Sequence, residues 1–515
     1  MVPTPPASAG TSPKGFDLNV ETLVGLVISC VKVDAANCSL TLRKSQYPAV
    51  KHAALPADGA GHDTFSFKHL VLLLFLAPAF ATWKLCGGYN TWIIALLTLV
   101  VPVVAAFWYV ASCISPPINE KAQNPGRPLE EYLTFKDEHV RDRYWGRHKI
   151  PMGTFTKMYI DGEVGFNGDA LEILEWRYDW ASWRFTREMT RFVVLTWLPE
   201  AIASYLFQRE RPLVEDQRGG DFYSWFLGPR LAYTSGIISD MSIEETLEEL
   251  QDNKLAAVCE KIYLQPGDRL LDIGCGWGSL VTFASVNYGA LTTGLTIDPH
   301  QATLGSCRLQ SAGISESQSR ICSRVYEGPD EVYDKIVCVQ SSGQEDLKVI
   351  GFFERCYEML ADDGVFHVEI TASRRAWQYE DLVWGLFLKR HVIPWMTMGW
   401  DLGRYVTALE EAGFEVQSLD NIGQHYSATL WRWYKNWTSN RDKITDKYGE
   451  KSYRIWEYFL AMATIIFRQG TMGRYQITLV KNLNGVHPAG LHKTRLSVTE
   501  ALATSRAAGK NRFPI

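Results

Sequence analysis

The chain has no Cys-x-x-Cys pair and no histidine cluster at metal-ligand spacing. Its ten cysteines, Cys30, Cys38, Cys86, Cys113, Cys259, Cys275, Cys307, Cys322, Cys338 and Cys356, are scattered along 515 residues. That pattern offers neither a disulfide framework nor a metal site, and a reducing compartment is the expectation for the bulk of the chain. A basic excess is also missing: 52 Lys+Arg against 57 Asp+Glu leaves a net charge of −5. Phosphate binding needs a concentrated basic surface, so nucleic acid is excluded as a principal partner. The start of the chain lacks the basic stretch followed by an apolar stretch that marks a secretory signal. With 46% apolar and 21% charged residues the chain is neither mainly disordered nor a coiled coil. Its length corresponds to roughly three domain-sized units. Aromatic residues are plentiful, with 18 Trp and 23 Tyr. Such rings suit a large apolar cavity, a membrane interface or simply a packed core.

Residues 1–65, rich in small residues and proline, are expected to form a flexible arm, with one short apolar element over Asn19–Lys32. Residues 66–115 hold two uncharged runs, Leu70–Trp83 with 14 residues and Thr91–Ser115 with 25. A bilayer core of roughly 30 Å needs about 20 helical residues, so the second run is long enough to span and the first is marginal. Trp92, Trp108 and Tyr109 near the ends of the second run suit an interface. The expectation is a membrane hairpin with both flanks in the cytosol. The alternative is one spanning helix beside a re-entrant or buried one. Residues 116–219 read as a linker and an aromatic segment, Trp176–Leu206, in which Trp176, Trp180, Trp183, Phe185 and Phe192 stand near helical spacing among Arg184, Arg187 and Arg191. This is either an amphipathic helical region on a membrane or tunnel, or a helix packed on the next domain.

Residues 220–485 read as one α/β domain, and 486–515 as a loose basic tail. Ser242-Ile243-Glu244-Glu245 has capping-box form, and Ile243, Leu247, Leu250, Leu255, Val258 and Ile262 fit one helix face. Apolar runs then recur at Leu270–Ile273, Leu291–Ile297, Lys335–Val339, Gly364–Ile370, Phe414–Leu419 and Tyr475–Val480, mostly separated by helix-like stretches. That alternation predicts a mostly parallel sheet with helices on both faces.

The sharpest motif is Leu270-Leu271-Asp272-Ile273-Gly274-Cys275-Gly276-Trp277-Gly278, a buried strand entering a G-x-G-x-G turn before a helix. Glycines here allow positive φ and close backbone approach to a ligand. A pyrophosphate-binding loop prefers G-x-G-x-x-G, and Thr296 stands where dinucleotide enzymes usually carry an acid. The spacing suits S-adenosylmethionine, with Asp272 near its cationic amino-acid end. A dinucleotide enzyme and a bare structural turn are the other readings.

With these residues in hand, the chain resembles the cyclopropane-fatty-acid synthase group of S-adenosylmethionine-dependent methyltransferases, and within it the fungal sphingolipid C9-methyltransferases. The matching stretches are 221–230 (DFYSWFLGPR), 233–236 (YTSG), the glycine loop, Gly294-Leu295-Thr296-Ile297 with Gln301, His425-Tyr426-Ser427 and Arg468-Gln469-Gly470. The resemblance implies a class I methyltransferase, Rossmann-like with a mostly parallel seven-stranded sheet and helical lipid-binding insertions. It implies a cofactor held by Tyr233, Thr234, Asp272, Gly274, Gly276, Gly278, Thr296 and Gln301. It also implies methylation of the sphingoid chain of a ceramide lipid at an alkene carbon, with Tyr426 beside the reacting carbon. A membrane location at the endoplasmic reticulum follows from that substrate, with the catalytic domain in the cytosol.

Gly343-Gln344 occupies the place where the family carries an active-site Glu-His pair, and the acid that the resemblance implies near the adenine, after the third strand, is missing from its place in Ser323-Arg324-Val325-Tyr326-Glu327. Ser235 and Glu369 stand where bacterial cyclopropane synthases use a Cys and a His around bicarbonate, so no such bicarbonate site is expected. Either Glu345 or Glu369 supplies the missing carboxylate, or the chain is a weakened paralogue that binds lipid or partners an active enzyme. Methylation or cyclopropanation of phospholipid acyl chains is a further alternative.

Overall fold

The computed structural model describes residues 67–85, 87–114, 125–197, 199–200, 220–323, 331–339, 349–375, 378–394, 400–485 and 497–513. The arm expected over 1–65 lies outside them. Seven strands form the central sheet: β1 (Arg269–Ile273), β2 (Leu291–Thr296), β3 (Ser319–Ser323), β4 (Tyr333–Val339), β5 (Leu360–Ser373), β6 (Phe414–Asn421) and β7 (Met472–Lys481). Their spatial order is β6-β7-β5-β4-β1-β2-β3. The first five are mutually parallel, and β7 runs antiparallel between β5 and β6. All six apolar runs fall in strands. The strand that those runs omit is β3, a polar edge strand paired only with β2, whose sequence has little buried face to declare itself.

The helix Leu247–Lys261 packs on this sheet, but its cap sits four residues beyond the expected one. Thr246 and Glu249 form the capping box, while the Ser242 hydroxyl bonds Asp240 and Ile243 is exposed. The Glu245 carboxylate accepts from the Ser239 N–H, which holds 239–245 as a loop. Between Leu250 and Cys259 this helix is buried all round, including Gln251, Asp252, Asn253 and Lys254. Its outer side is covered by a second helix, Val498–Ala507, whose Ala501 and Leu502 bury against Ile237 and Ala257. The C-terminal region is thus not loose over 497–513; a second capping box, Ser497 with Glu500, starts its helix.

A helical layer stands over one end of the sheet. It consists of short elements between 129 and 192 with the helices Gly220–Leu227, Tyr379–His391, Gly423–Ser439 and Arg441–Gln469. The aromatic surplus is largely spent here. Phe155 meets Trp180 at 4.8 Å, and Phe222 meets Trp437 and Trp456 at 5.1 and 4.9 Å between ring centroids. The segment from Trp176 is not one helix: it breaks into Arg177–Trp180, a two-residue strand, Arg187–Phe192 and a π-helical turn, Val193–Trp197. Trp180, Trp183 and Phe185 are core residues. Arg177, itself buried, donates to Glu380 at 2.7 Å and to Gln469 at 2.7 Å, which ties this segment to the helix Tyr379–His391. A buried guanidinium demands such partners, and meeting them overrides helical continuation.

The two apolar runs form paired helices, Phe67–Lys84 and Tyr89–Ile114, each with an internal proline. Among the described residues no single helix is long and apolar enough to cross a membrane; Tyr89–Val100 and Pro102–Ala111 make a pair bent by 46°. A proline removes a backbone donor and clashes with the preceding turn, which accounts for the bend.

Candidate functional site

The strand order reverses between β1 and β4, and ligands of open α/β sheets bind at the carboxyl ends of the strands there. The glycine loop lies at that point. Gly274, Gly276 and Gly278 all have positive φ, at 79°, 54° and 74°. A Cβ on Gly276 would meet nothing within 4 Å, so this turn faces open space, whereas one on Gly278 would collide with Ile321 Cδ1. One glycine therefore permits close ligand approach, and the other permits close packing of loop on sheet. The N–H groups of Gly274 and Cys275 both donate to Leu295 O at 2.9 Å, which fixes the loop on β2. At the end of β2 the Thr296 hydroxyl donates to Gln301 Oε1 at 2.8 Å, so the two expected cofactor residues sit together.

Asp272 is buried on β1, and burial pushes its carboxyl up to about 7 while the Lys254 ammonium pulls it down. Lys254, buried as well, also feels the Glu369 charge; burial lowers its pKa against the pull of the two carboxylates. Thr234 Oγ1 is buried without a hydrogen-bond partner. Beside it, Gln251 Nε2 donates to Thr234 O at 2.8 Å. Tyr233 meets Tyr223 and Phe226 edge-on and Trp433 at a tilt, with ring centroids 5.4–5.9 Å apart. An orphaned hydroxyl, an open glycine turn and a buried carboxylate fit a ligand with a cationic amino-acid end and a nucleoside, which is what S-adenosylmethionine presents.

Glu369 lies on β5, fully buried, in a polar column that spans two strands. His367, Glu369 and Thr371 alternate along β5 and stand opposite Thr478, Gln476 and Arg474 of β7. Arg474 Nη2 donates to Glu369 Oε2 at 3.1 Å and Nη1 to Thr371 Oγ1 at 2.9 Å. Gln476 Nε2 donates to Glu369 Oε1 at 2.8 Å. The Arg474 guanidinium also stands 5.9 Å from the ring centroid of Tyr426. The two expected catalytic residues, Glu369 and Tyr426, are thereby joined through one arginine. Burial pushes the Tyr426 phenol up to about 12, so it stays protonated in ordinary buffers. Its ring is edge-on to Trp433 at 5.9 Å and meets Phe467 at 4.5 Å. A series of rings, Trp277, Tyr223, Tyr233, Trp433 and Tyr426, therefore runs from the glycine loop to this carboxylate.

Glu345, with Gly343 and Gln344, lies outside the described residues. Lys254, Arg474 and Gln476 were not anticipated as site residues. A signal existed in the strand: Arg474, Gln476 and Thr478 alternate within an otherwise apolar run, whereas Lys254 lies in a helix with many charged residues and does not stand out. A separate cavity of about 200 Å³ opens in the helical layer between Thr156, Met189, Phe192, Val383 and Phe387, and none of the expected site residues lines it.

Residues 216–477 match the family described as Mycolic acid cyclopropane synthetase. "Sphingolipid C9-methyltransferase 1" of Gibberella zeae is 49% identical over 91% of this chain and 92% of its own length. "Sphingolipid C9-methyltransferase" of Komagataella phaffii is 48% identical over 88% and 94%. The chain belongs to this methyltransferase family. A "Probable fatty acid methyltransferase" of Pseudomonas putida is more distant, 29% identical over 50% of this chain. Among solved structures, the cyclopropane synthase MmaA2 of Mycobacterium tuberculosis aligns over 51% of the chain and 94% of its own, with 24% identity and a TM-score of 0.48.

Proposed function

We propose that this protein methylates the sphingoid chain of a ceramide or glucosylceramide at C9, using S-adenosylmethionine. The observation that carries the reading is its 45–49% identity, over most of the chain, to fungal proteins named sphingolipid C9-methyltransferases. When bound, S-adenosylmethionine supplies an electrophilic methyl group. Tyr233, Thr234, Asp272, the loop glycines, Thr296 and Gln301 would hold it. Attack by the lipid's alkene π electrons would form the new carbon–carbon bond as the methyl–sulfur bond breaks and S-adenosylhomocysteine leaves, placing a positive charge on the adjacent chain carbon. The ring of Tyr426 faces such a cation with its negative π surface. Glu369 then accepts the proton whose loss restores the double bond, so one proton leaves per methyl transferred. Glu369 is the described carboxylate that stands in for the family pair, and Arg474 and Gln476 hold both of its oxygens.

The paired helices Phe67–Lys84 and Tyr89–Ile114 are proposed as a membrane attachment at the endoplasmic reticulum, with the catalytic domain in the cytosol. Leu72, Phe75, Leu76, Phe80, Trp83, Ile94 and Leu97 are all exposed on them, which supports contact with lipid. Mass spectrometry of glucosylceramides after gene deletion tests the function: their sphingoid bases should lose the mass of one methylene. Re-expression of Glu369→Gln and Glu345→Gln variants then assigns the base. An unchanged lipid profile on deletion overturns the reading.

A further inference from the structure

We infer that the C-terminal segment 497–513 is a strap that positions the cofactor loop, with Phe513 as its positioning residue. The inference rests on the glycine loop being the cofactor site. Arg308, on the helix Pro299–Ser311, donates to Trp277 O at 3.2 Å, to Ser279 Oγ at 2.7 Å and to Arg230 O at 3.2 Å. It thereby pins the end of the glycine loop, the start of the following helix and the segment just before Tyr233 and Thr234. Arg230 is itself held by Asp252 through two bonds, at 2.8 and 3.0 Å. Two guanidiniums side by side repel one another, and the Phe513 ring faces both, at 4.7 Å from Arg230 and 5.8 Å from Arg308. The Phe513 N–H donates to Asp252 Oδ2 at 3.2 Å, so backbone and ring close the same joint.

The rest of the strap follows the helix that opens at the loop. Asn287 Nδ2 donates to Arg512 O at 3.3 Å, the Lys510 ammonium lies over Tyr288 at 4.4 Å, and Phe513 meets Phe283 at 6.2 Å. At the strap's beginning Ala501 and Leu502 are buried against Ile237 and Ala257, beside the Thr234–Gly236 segment. Two cofactor-holding segments, 233–236 and 274–279, are thus clasped by one C-terminal piece. Its proposed action on the ligand runs through those two segments. Removing the Phe513 ring frees Arg308 to turn from Trp277 O, and loosens a loop whose register decides cofactor affinity.

The test uses purified full-length protein and S-adenosylhomocysteine as the probe in titration calorimetry. Phe513→Ala should weaken binding by about tenfold or more and raise the S-adenosylmethionine KM similarly, with the lipid KM unchanged. Phe513→Tyr, which keeps the ring, should restore both. If wild type binds and Phe513→Ala binds equally well, the strap inference is overturned. It is equally overturned if the variant loses lipid and cofactor affinity together with its thermal stability. If wild type itself binds no S-adenosylhomocysteine, the cofactor reading beneath it fails instead.

Discussion

Replacing Arg474 by methionine isolates the electrostatics of the buried column. Glu369 is 0% exposed and Arg474 is 1% exposed, so water does not screen this pair. Methionine keeps most of the packing volume but leaves the Glu369 carboxylate with the neutral Gln476 donor and, further off, the Lys254 ammonium. Breaking a buried pair by removing one partner costs about 3–5 kcal/mol, because the remaining charge is left uncompensated. For a domain of this size that corresponds to a fall in Tm of roughly 6 °C or more. Glu369→Gln, combined with it, removes the stranded charge, so the double variant should recover about 2 kcal/mol or more relative to the sum of the two single changes. Thermal and urea melts of the four proteins give the cycle. Methyl transfer should stay lost in the double variant although its stability returns, since Glu369 is the proposed base. A loss below about 1 kcal/mol for Arg474→Met, or additive single effects, would refute the claim that this ion pair organises the site.

The loop glycines should separate binding from folding: Gly276→Ala should lose S-adenosylhomocysteine affinity for a fold cost of only about 1 kcal/mol, whereas Gly278→Ala should cost more in melts because of Ile321. Asp272 has a folded pKa of about 7 against 3.8, so its stabilising share is present below about pH 4 and lost as pH rises through 7. Asp272→Asn should therefore raise the Tm of the ligand-free protein at pH 8 while weakening cofactor binding, and a variant that lowers both contradicts the assignment. His391 and His425 are held down to about 4 by burial, so their stabilising share is present above 6.5 and lost as pH falls towards 4. Tm should drop between pH 7 and 5, and His425→Gln should flatten part of that slope, Ile238 N–H being the group that donates to His425 Nδ1. Tyr426→Phe should retain most methyl transfer and Tyr426→Leu should lose it, because the proposed role belongs to the ring; equal losses would assign the role to the hydroxyl.

Much of the site was legible in the chain. Glycine spacing after a buried strand marked the loop, and alternation of apolar runs with helical stretches marked the sheet, because both signals arise between near neighbours. Edge strand β3 names no buried face, and the capping box expected at Ser242–Glu245 forms instead at Thr246 and Glu249, because the Ser242 hydroxyl bonds Asp240 and the Glu245 carboxylate accepts from Ser239 N–H. The aromatic segment after Trp176 carries helical spacing, yet a buried Arg177 pairing with Glu380, 203 residues away, sets its shape.

By itself the sequence determined the fold class, the glycine loop and the family, and it nominated Tyr426 with Glu369 or Glu345 as the groups to act. Only the tertiary structure decided what surrounds them. β7 enters antiparallel between β5 and β6, which sets Arg474 and Gln476 against Glu369 across 105 and 107 residues of chain. Phe513 reaches Asp252 across 261 residues. Periodicity records which face of an element is buried, but a partner that distant in the chain is chosen by topology and by the need to satisfy a buried charge.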